Sequence, residues 1–271
     1  MKYKCLSIAG FDGSGGAGIQ ADLKTFSALG CYGMTVLTAL PVQNTCGVRS
    51  CYDIPLEAIE EQLESIFEDI IPDSIKIGML FSVPIIELVA TFLMKHAVNI
   101  PIVLDPVMMA KSGDPLLMSD AVDALKTKLI KFATIITPNK PEANNLVGKA
   151  QSSEILGKKL LELGAKAVLL KGGHGEGNTS DDLFLDKYGG YKWMRAMRIN
   201  SKNTHGTGCT LSAAICTFLA KGFSLVDACE RSKRYLFEAM LASKEKSVGL
   251  GCGPVHHFYH LWAESNKVVE G

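Results

Sequence analysis

The sequence predicts an α/β fold built on a mostly parallel sheet with helices on both faces. Short apolar runs alternate with longer stretches whose apolar residues recur at helical spacing, along nearly all of the 271 residues. The short runs are unbroken rather than alternating, as strands buried on both faces are. No Pro/Ser-rich linker, fixed-period repeat or low-complexity tract divides the chain, so one domain over 1–271 is expected.

The elements follow in order. Tyr3–Ala9 reads as a buried strand and Ala17–Leu29 as a helix. Met34–Leu40 reads as a strand, with a shorter one near Val48–Asp53. Leu56, Ile59, Leu63, Ile66, Phe67 and Ile70 fall on one helical face, and Pro55 suits the start of that helix. Ser74–Ile77 is a strand, Pro84–His96 a helix and Ile102–Leu104 a strand. Ser119–Lys131 is a helix with Ser119 as its expected cap, followed by the strand Thr134–Ile136. Ser153–Leu163 is a helix and Ala167–Leu170 a strand. Asp182–Leu185 and Tyr191–Ile199 pair antiparallel around Gly189-Gly190. Two helices, Thr210–Lys221 and Leu225–Ser243, close the core.

Composition narrows the function classes. Hydrophobic residues make up 47% and charged residues 21%, which suits a globular protein with ample core. Basic and acidic residues number 28 each, so net charge offers no argument for nucleic acid or an anionic membrane. No stretch is apolar enough for long enough to span a bilayer, and the apolar part of the N-terminus, Cys5 to Gly10, is too short for a signal peptide. A cytoplasmic location is expected. The eight cysteines form no C-x-x-C pair and read as reduced thiols, mostly small core residues.

Residues with chemistry gather at the expected strand ends: Gly10–Gly18, Gln43-Asn44, Gly78-Met79, Asp105, Asn139–Glu142 and Lys171–His174. In parallel sheets ligands collect there. The most informative segment is Asn203–Ser212, where Gly206 and Gly208 precede an apolar helical run. Free N–H groups and the positive end of the helix dipole converge at such a start, which is an anion cradle. Gly206, Thr207 and Gly208 form that expected cradle, and Cys209 stands at its mouth. A helix N-terminus lowers a thiol's pKa, although a nearby polyphosphate acts in the opposite sense.

Other motifs carry two readings each. Gly13–Gly18 matches G-x-G-x-x-G, but no acidic residue lies between Asp22 and Asp53 to hold a ribose. A tight turn approaching a ligand is the better reading. Asp12 and Asp22 flank it as ligand contacts or helix-end residues. No Walker A sequence occurs, so phosphate must be held elsewhere. Asn139 and Glu142, three apart, either order Mg²⁺ and its waters or form a helix-capping box. Asp105 ends a buried strand and needs a cation or donors, as a magnesium partner through water or as a loop anchor. Lys171, beside Gly172-Gly173, either reaches a phosphoryl oxygen or is a turn lysine. His174 and His205 read as local hydrogen-bonding residues, and His256, His257 and His260 as C-terminal packing.

Taken together, AGFDGSGGAGIQADLKTFSALGCYGMTVLTALPVQNT at 9–45, KIGML at 76–80, LDPVM at 104–108, AKSGDPLL at 110–117, TPNKPEA at 137–143, LKGGH at 170–174, KNTHGTGCTLSAAI at 202–215 and GPVHHF at 253–258 resemble the bacterial hydroxymethylpyrimidine/phosphomethylpyrimidine kinases. The resemblance runs from about residue 5 to 262. Gly13 stands where the family pattern has proline, and Pro41-Val42 replaces a softer pair.

The resemblance implies a ribokinase-like three-layer α/β/α sandwich, a thiamine-pathway kinase using ATP and Mg²⁺, and a homodimer. Asp22 and Gln43 would approach the pyrimidine ring, with Met79, Val107 and the backbone of Gly10 lining its pocket. Gln43 offers an aminopyrimidine both a donor and an acceptor. Asn139, Glu142 and Asp105 would serve Mg²⁺, Lys171 the transferred phosphoryl group, and Cys209 the hydroxyl proton as catalytic base. Pyridoxal kinase of the same fold and a non-catalytic pyrimidine-binding protein are the alternatives.

Overall fold

The computed structural model describes residues 2–109, 113, 116–118, 120–173, 177–246 and 248–262. The expected cap at Ser119, part of the 110–117 motif and His174 lie outside them. The chain opens with β1 (Lys4–Ala9), α1 (Gly18–Ala28) and β2 (Tyr32–Leu37). A hairpin of β3 (Ala39–Asn44) and β4 (Gly47–Asp53) follows, then α2 (Leu56–Asp69), β5 (Ser74–Ile77), α3 (Val83–His96) and β6 (Ile102–Leu104). Helix α4 (Ala121–Ala124) runs on through a π turn (Leu125–Leu129) and a 3-10 turn (Ile130–Phe132) into β7 (Ile135–Ile136). The second half holds α5 (Lys140–Val147), α6 (Ser153–Leu161), β8 (Ala167–Leu170), β9 (Asp182–Asp186), β10 (Tyr191–Met194), α7 (Thr207–Ala220) and α8 (Leu225–Ser243).

The main sheet has eight strands in the order β10-β9-β8-β7-β6-β5-β1-β2. From β2 to β8 the pairs are parallel, and β9 and β10 are antiparallel at the edge. One apolar core lies between the sheet and α2, α3, α4 and α6, built from residues such as Ile8, Ile77, Ile86 and Leu156. A second, with Phe26, Val103, Leu211 and Ile215, lies under α1, α7 and α8. The central strands alternate between these cores, and so they read as unbroken apolar runs.

Three expectations need correction. Met34–Leu40 is not one strand: the chain leaves the sheet at Thr38, whose hydroxyl donates to Met79 O at 2.6 Å. The rest joins the β3–β4 hairpin outside the main sheet, with a register irregularity at Val42/Gln43. Gln43-Asn44 therefore sits on that hairpin rather than at a parallel strand's end. The expected Ser119–Lys131 helix is interrupted by the π and 3-10 turns. The strand expected over Tyr191–Ile199 stops at Met194.

Candidate active site

The parallel strands end in one cavity of about 520 Å³. Of the sequence-expected site residues, Gly10, Gln43, Met79, Asp105, Val107, Asn139, Glu142, Lys171 and Gly206–Cys209 all line it. Asp22 does not. It is fully buried behind the wall, where one carboxylate oxygen accepts from Lys76 Nζ at 2.7 Å and Ser7 Oγ at 2.5 Å. Gln43 does face the cavity, and its amide donates weakly to Phe11 O at 3.4 Å.

The cradle at the start of α7 is built by two glycine loops in contact. Gly206 has φ +73, and a Cβ there would fall 1.7 Å from Gly16 O. Only glycine allows that turn and that approach. No side chain caps the helix start, which leaves its amides to a ligand. The facing loop is drawn together by Asp12, which accepts from the backbone of Ser14, Gly16 and Ala17. His205 Nε2 lies 2.7 Å from the same carboxylate and ties the two loops. Burial alone would raise the Asp12 pKa, but His205, Ser14 and the Ala17 N–H hold it well below the usual range.

Cation and carboxylates meet beside the cradle. Lys171 Nζ donates to Asp105 Oδ1 at 2.8 Å and lies 3.9 Å from Glu142 Oε2. Thr137 Oγ1 donates to the same Asp105 oxygen at 3.0 Å. A Cβ on Gly208 would sit 3.2 Å from Asp105 Oδ2 and 3.3 Å from Lys171 Nζ, so the cradle opens directly on this pair. Burial disfavours the Lys171 charge, yet Asp105 and Glu142 hold it above the ordinary lysine range. Asn139 and Glu142 do form the capping box of α5: each side chain accepts from the other's N–H, at 2.9 and 2.7 Å. Both still face the cavity.

Burial, with Asp105 nearby, pushes Glu142 up to about 7 although Lys171 opposes the shift. The sign for stability follows. Between about 4.5 and about 7 the unfolded chain ionises this group and the folded chain does not. Stability therefore falls as pH rises through that window and levels off above it. In metal-free protein the urea midpoint should drop less across the window in Glu142→Gln than in the wild type; parallel curves would refute this.

Cys209, at the helix start, is governed by its burial. Burial pushes the thiol up to about 11, and Asp22 and Asp105 add to this; the Lys76 ammonium and the Gly18 N–H pull the other way. At neutral pH Cys209 is a thiol.

Two groups escaped the sequence reading. Lys76 is a fully buried lysine inside β5, immediately under the cavity floor. Its only sequence signal is a charge interrupting an apolar strand. The far end of the cavity is lined by Ala196–Ile199 and by Lys233, Leu236, Phe237 and Met240 of α8, which read only as a packing face. Lys233 Nζ there donates to Ser180 O at 2.6 Å and Asp182 Oδ2 at 2.7 Å. The C-terminal histidines pack as expected: His257 Nε2 is 3.0 Å from Thr210 Oγ1 and His260 Nε2 3.0 Å from Ala28 O. Among the described residues no group of three His, Cys, Asp or Glu is placed to hold a metal, and no helix is long and apolar enough to cross a membrane.

The profile of the phosphomethylpyrimidine kinase family matches residues 12–256. A hydroxymethylpyrimidine/phosphomethylpyrimidine kinase from Salmonella typhimurium is 47% identical over 267 residues, covering 97% of this chain and 100% of that protein. The crystal structure of a phosphomethylpyrimidine kinase from Clostridium difficile 630 is 44% identical, with a TM-score of 0.77 over 88% of this chain and 100% of that one. A pyridoxal kinase from Staphylococcus aureus in complex with ADP has a TM-score of 0.86 at 33% identity, covering 96% of this chain and 95% of that one.

Proposed function

The chain belongs to the phosphomethylpyrimidine kinase family, and from that premise we propose that it phosphorylates 4-amino-5-hydroxymethyl-2-methylpyrimidine with ATP, then phosphorylates the monophosphate to the diphosphate. The observation that carries this reading is the meeting of the Gly206–Cys209 amides with Lys171 and Asp105, in one cavity with Gln43, Met79 and Val107. The reaction works within one domain over 1–271, and a homodimer is part of the proposal.

The ring lies against Met79 and Val107, with Gln43 offering donor and acceptor to the aminopyrimidine edge. Its hydroxymethyl oxygen then faces the cradle. The γ-phosphoryl group rests on the α7 amides with Lys171 beside it, so charge on its equatorial oxygens meets donors already in place. The apolar far end of the cavity takes the purine. The donor set beside the cradle is all oxygen, from Asp105, Glu142 and Asn139, and it fits Mg²⁺ held through waters. Bound there, Mg²⁺ would neutralise phosphate charge.

The thiolate fraction of Cys209 takes the hydroxyl proton. Because its thiol is pushed up to about 11, turnover should rise with pH above neutrality. Cys209→Ala should lower kcat by roughly 10²–10⁴ and flatten that rise, with pyrimidine affinity changed only a few-fold. Equal losses in kcat and affinity would remove Cys209 from the chemistry.

Product analysis after incubation with the pyrimidine alcohol and MgATP tests the whole reading. Mono- and diphosphate are the expected products. Phosphorylated pyridoxal without phosphorylated pyrimidine would assign the chain to the rival substrate, and pyrimidine binding without turnover would make it a binding protein.

A further inference from the structure

Lys76 is a costly residue to place in the middle of a buried strand. Neighbouring Ile75 and Ile77 are fully buried apolar residues. Lys76 itself has no exposed surface, and its Nζ is held at 2.7 Å by Asp22 of α1. Ser7 Oγ steadies the same carboxylate oxygen, while Asp22 Oδ1 has no hydrogen-bond partner among the described residues. The pair is thus incompletely satisfied, which is a poor design for a purely structural ion pair. Gly78 leaves room for the ammonium, since a Cβ there would come within 2.8 Å of Nζ.

The register of helix on strand shows what lies above it. Cys216 Sγ donates to Ser74 Oγ at 3.3 Å, so α7 crosses β5 at that point. Cys209 is seven residues earlier, two helical turns along the same face. Lys76 is two residues after Ser74, on the same face of the strand. The helix start lies at the strand's carboxyl end, so both steps lead toward the cavity floor, where Lys76 and Cys209 both line the wall. The groups facing Cys209 are Lys76 from β5, Asp22 from α1, Asp105 beyond β6 and the Gly18 N–H. Lys171 also feels its charge. Lys76 is the largest influence favouring the thiolate.

We propose that Lys76 is a positioning residue for the phosphotransfer reaction: its buried ammonium, held by Asp22, supplies the positive charge that supports the thiolate of Cys209, and that thiolate then accepts the substrate's hydroxyl proton and becomes a thiol. The inference rests on the phosphotransfer reading for its purpose, but its test does not require turnover. Burial disfavours the Lys76 charge, while Asp22, Cys209 and Asp105 favour it and hold it above the ordinary lysine range.

The test is the alkylation rate of Cys209 by iodoacetamide in the free protein, followed by peptide mass spectrometry, with exposed Cys46 as the internal reference. At pH 9, Lys76→Met should slow Cys209 alkylation about tenfold or more relative to Cys46, because an opposite charge at close range shifts ionisation by one unit or more. Lys76→Arg should restore the rate to within a few-fold. A folded Lys76→Met protein that alkylates at the wild-type rate would overturn the proposal. If Lys76→Met does not fold, Lys76→Gln, which keeps a donor for Asp22 and removes the charge, decides in its place: slower Cys209 alkylation supports the proposal, and the wild-type rate overturns it. Absence of kinase activity would overturn the phosphotransfer reading and leave the alkylation result standing.

Discussion

Replacing Lys171 with methionine should lower the turnover of the proposed reaction by roughly 10²–10³, the range seen when one preorganised donor to a developing charge is removed. The lysine is placed for such a role: its Nζ is 2.8 Å from Asp105 and borders the Gly208 backbone at the mouth of the cradle. The substitution also leaves Asp105, 2% exposed, without its cation. Stability should drop by about 3 kcal/mol, near the lower end for a broken buried pair, because the side chain of Lys171 keeps 14% exposure. The two effects separate on the substrate's other end. Val107 meets Asp105 only through the backbone, its N–H donating to Asp105 O at 2.8 Å, and the substitution leaves that contact in place, so pyrimidine affinity, read by calorimetry on folded protein, should change only a few-fold while kcat falls. If affinity and kcat fall together, Lys171 is holding the cavity in shape rather than stabilising the phosphoryl group.

Which parts of this site were legible in the sequence depends on distance along the chain. The cradle was legible because its parts, Gly206, Gly208 and the apolar run after them, lie within one helical turn and its approach. The parallel sheet was legible because each strand and helix declares itself locally. Asn139 and Glu142 were legible as a pair: the capping box is made, and both residues line the cavity. Asp22, by contrast, was assigned to the ring. Its true partner, Lys76, lies 54 residues away, and only the packing of α1 on β5 brings them together. The burial of Cys209 was hidden for the same reason. The helix start that lowers a thiol's pKa is a local feature, whereas the burial that raises it comes from elements scattered over the chain. The hairpin of β3 and β4 was missed because its strands have ordinary strand composition. Their departure from the sheet is set by Thr38 reaching Met79, 41 residues on.

Gly206→Ala should be the most damaging single-methyl change in the chain, and a matched control shows why. At Gly206 two penalties coincide: φ +73, which a Cβ disfavours by about 1–2 kcal/mol, and a contact of 1.7 Å with Gly16 O. Gly222, just past the end of α7, has φ +83 and nothing within 4 Å of its would-be Cβ. Gly222→Ala therefore isolates the backbone penalty: a loss of about 1 kcal/mol in denaturant unfolding, with kcat unchanged. Gly206→Ala must in addition part the two glycine loops. Asp12 and His205 tie those loops together, so the shift carries the α7 amides away from the phosphoryl group. Turnover should fall by more than 10², since each amide in the cradle acts only when aimed. The decisive comparison is kcat at matched stability, with temperature chosen so that both variants are fully folded. If Gly206→Ala then turns over like Gly222→Ala, the contact between the loops does not aim the cradle, and the α7 amides are not what holds the migrating phosphate.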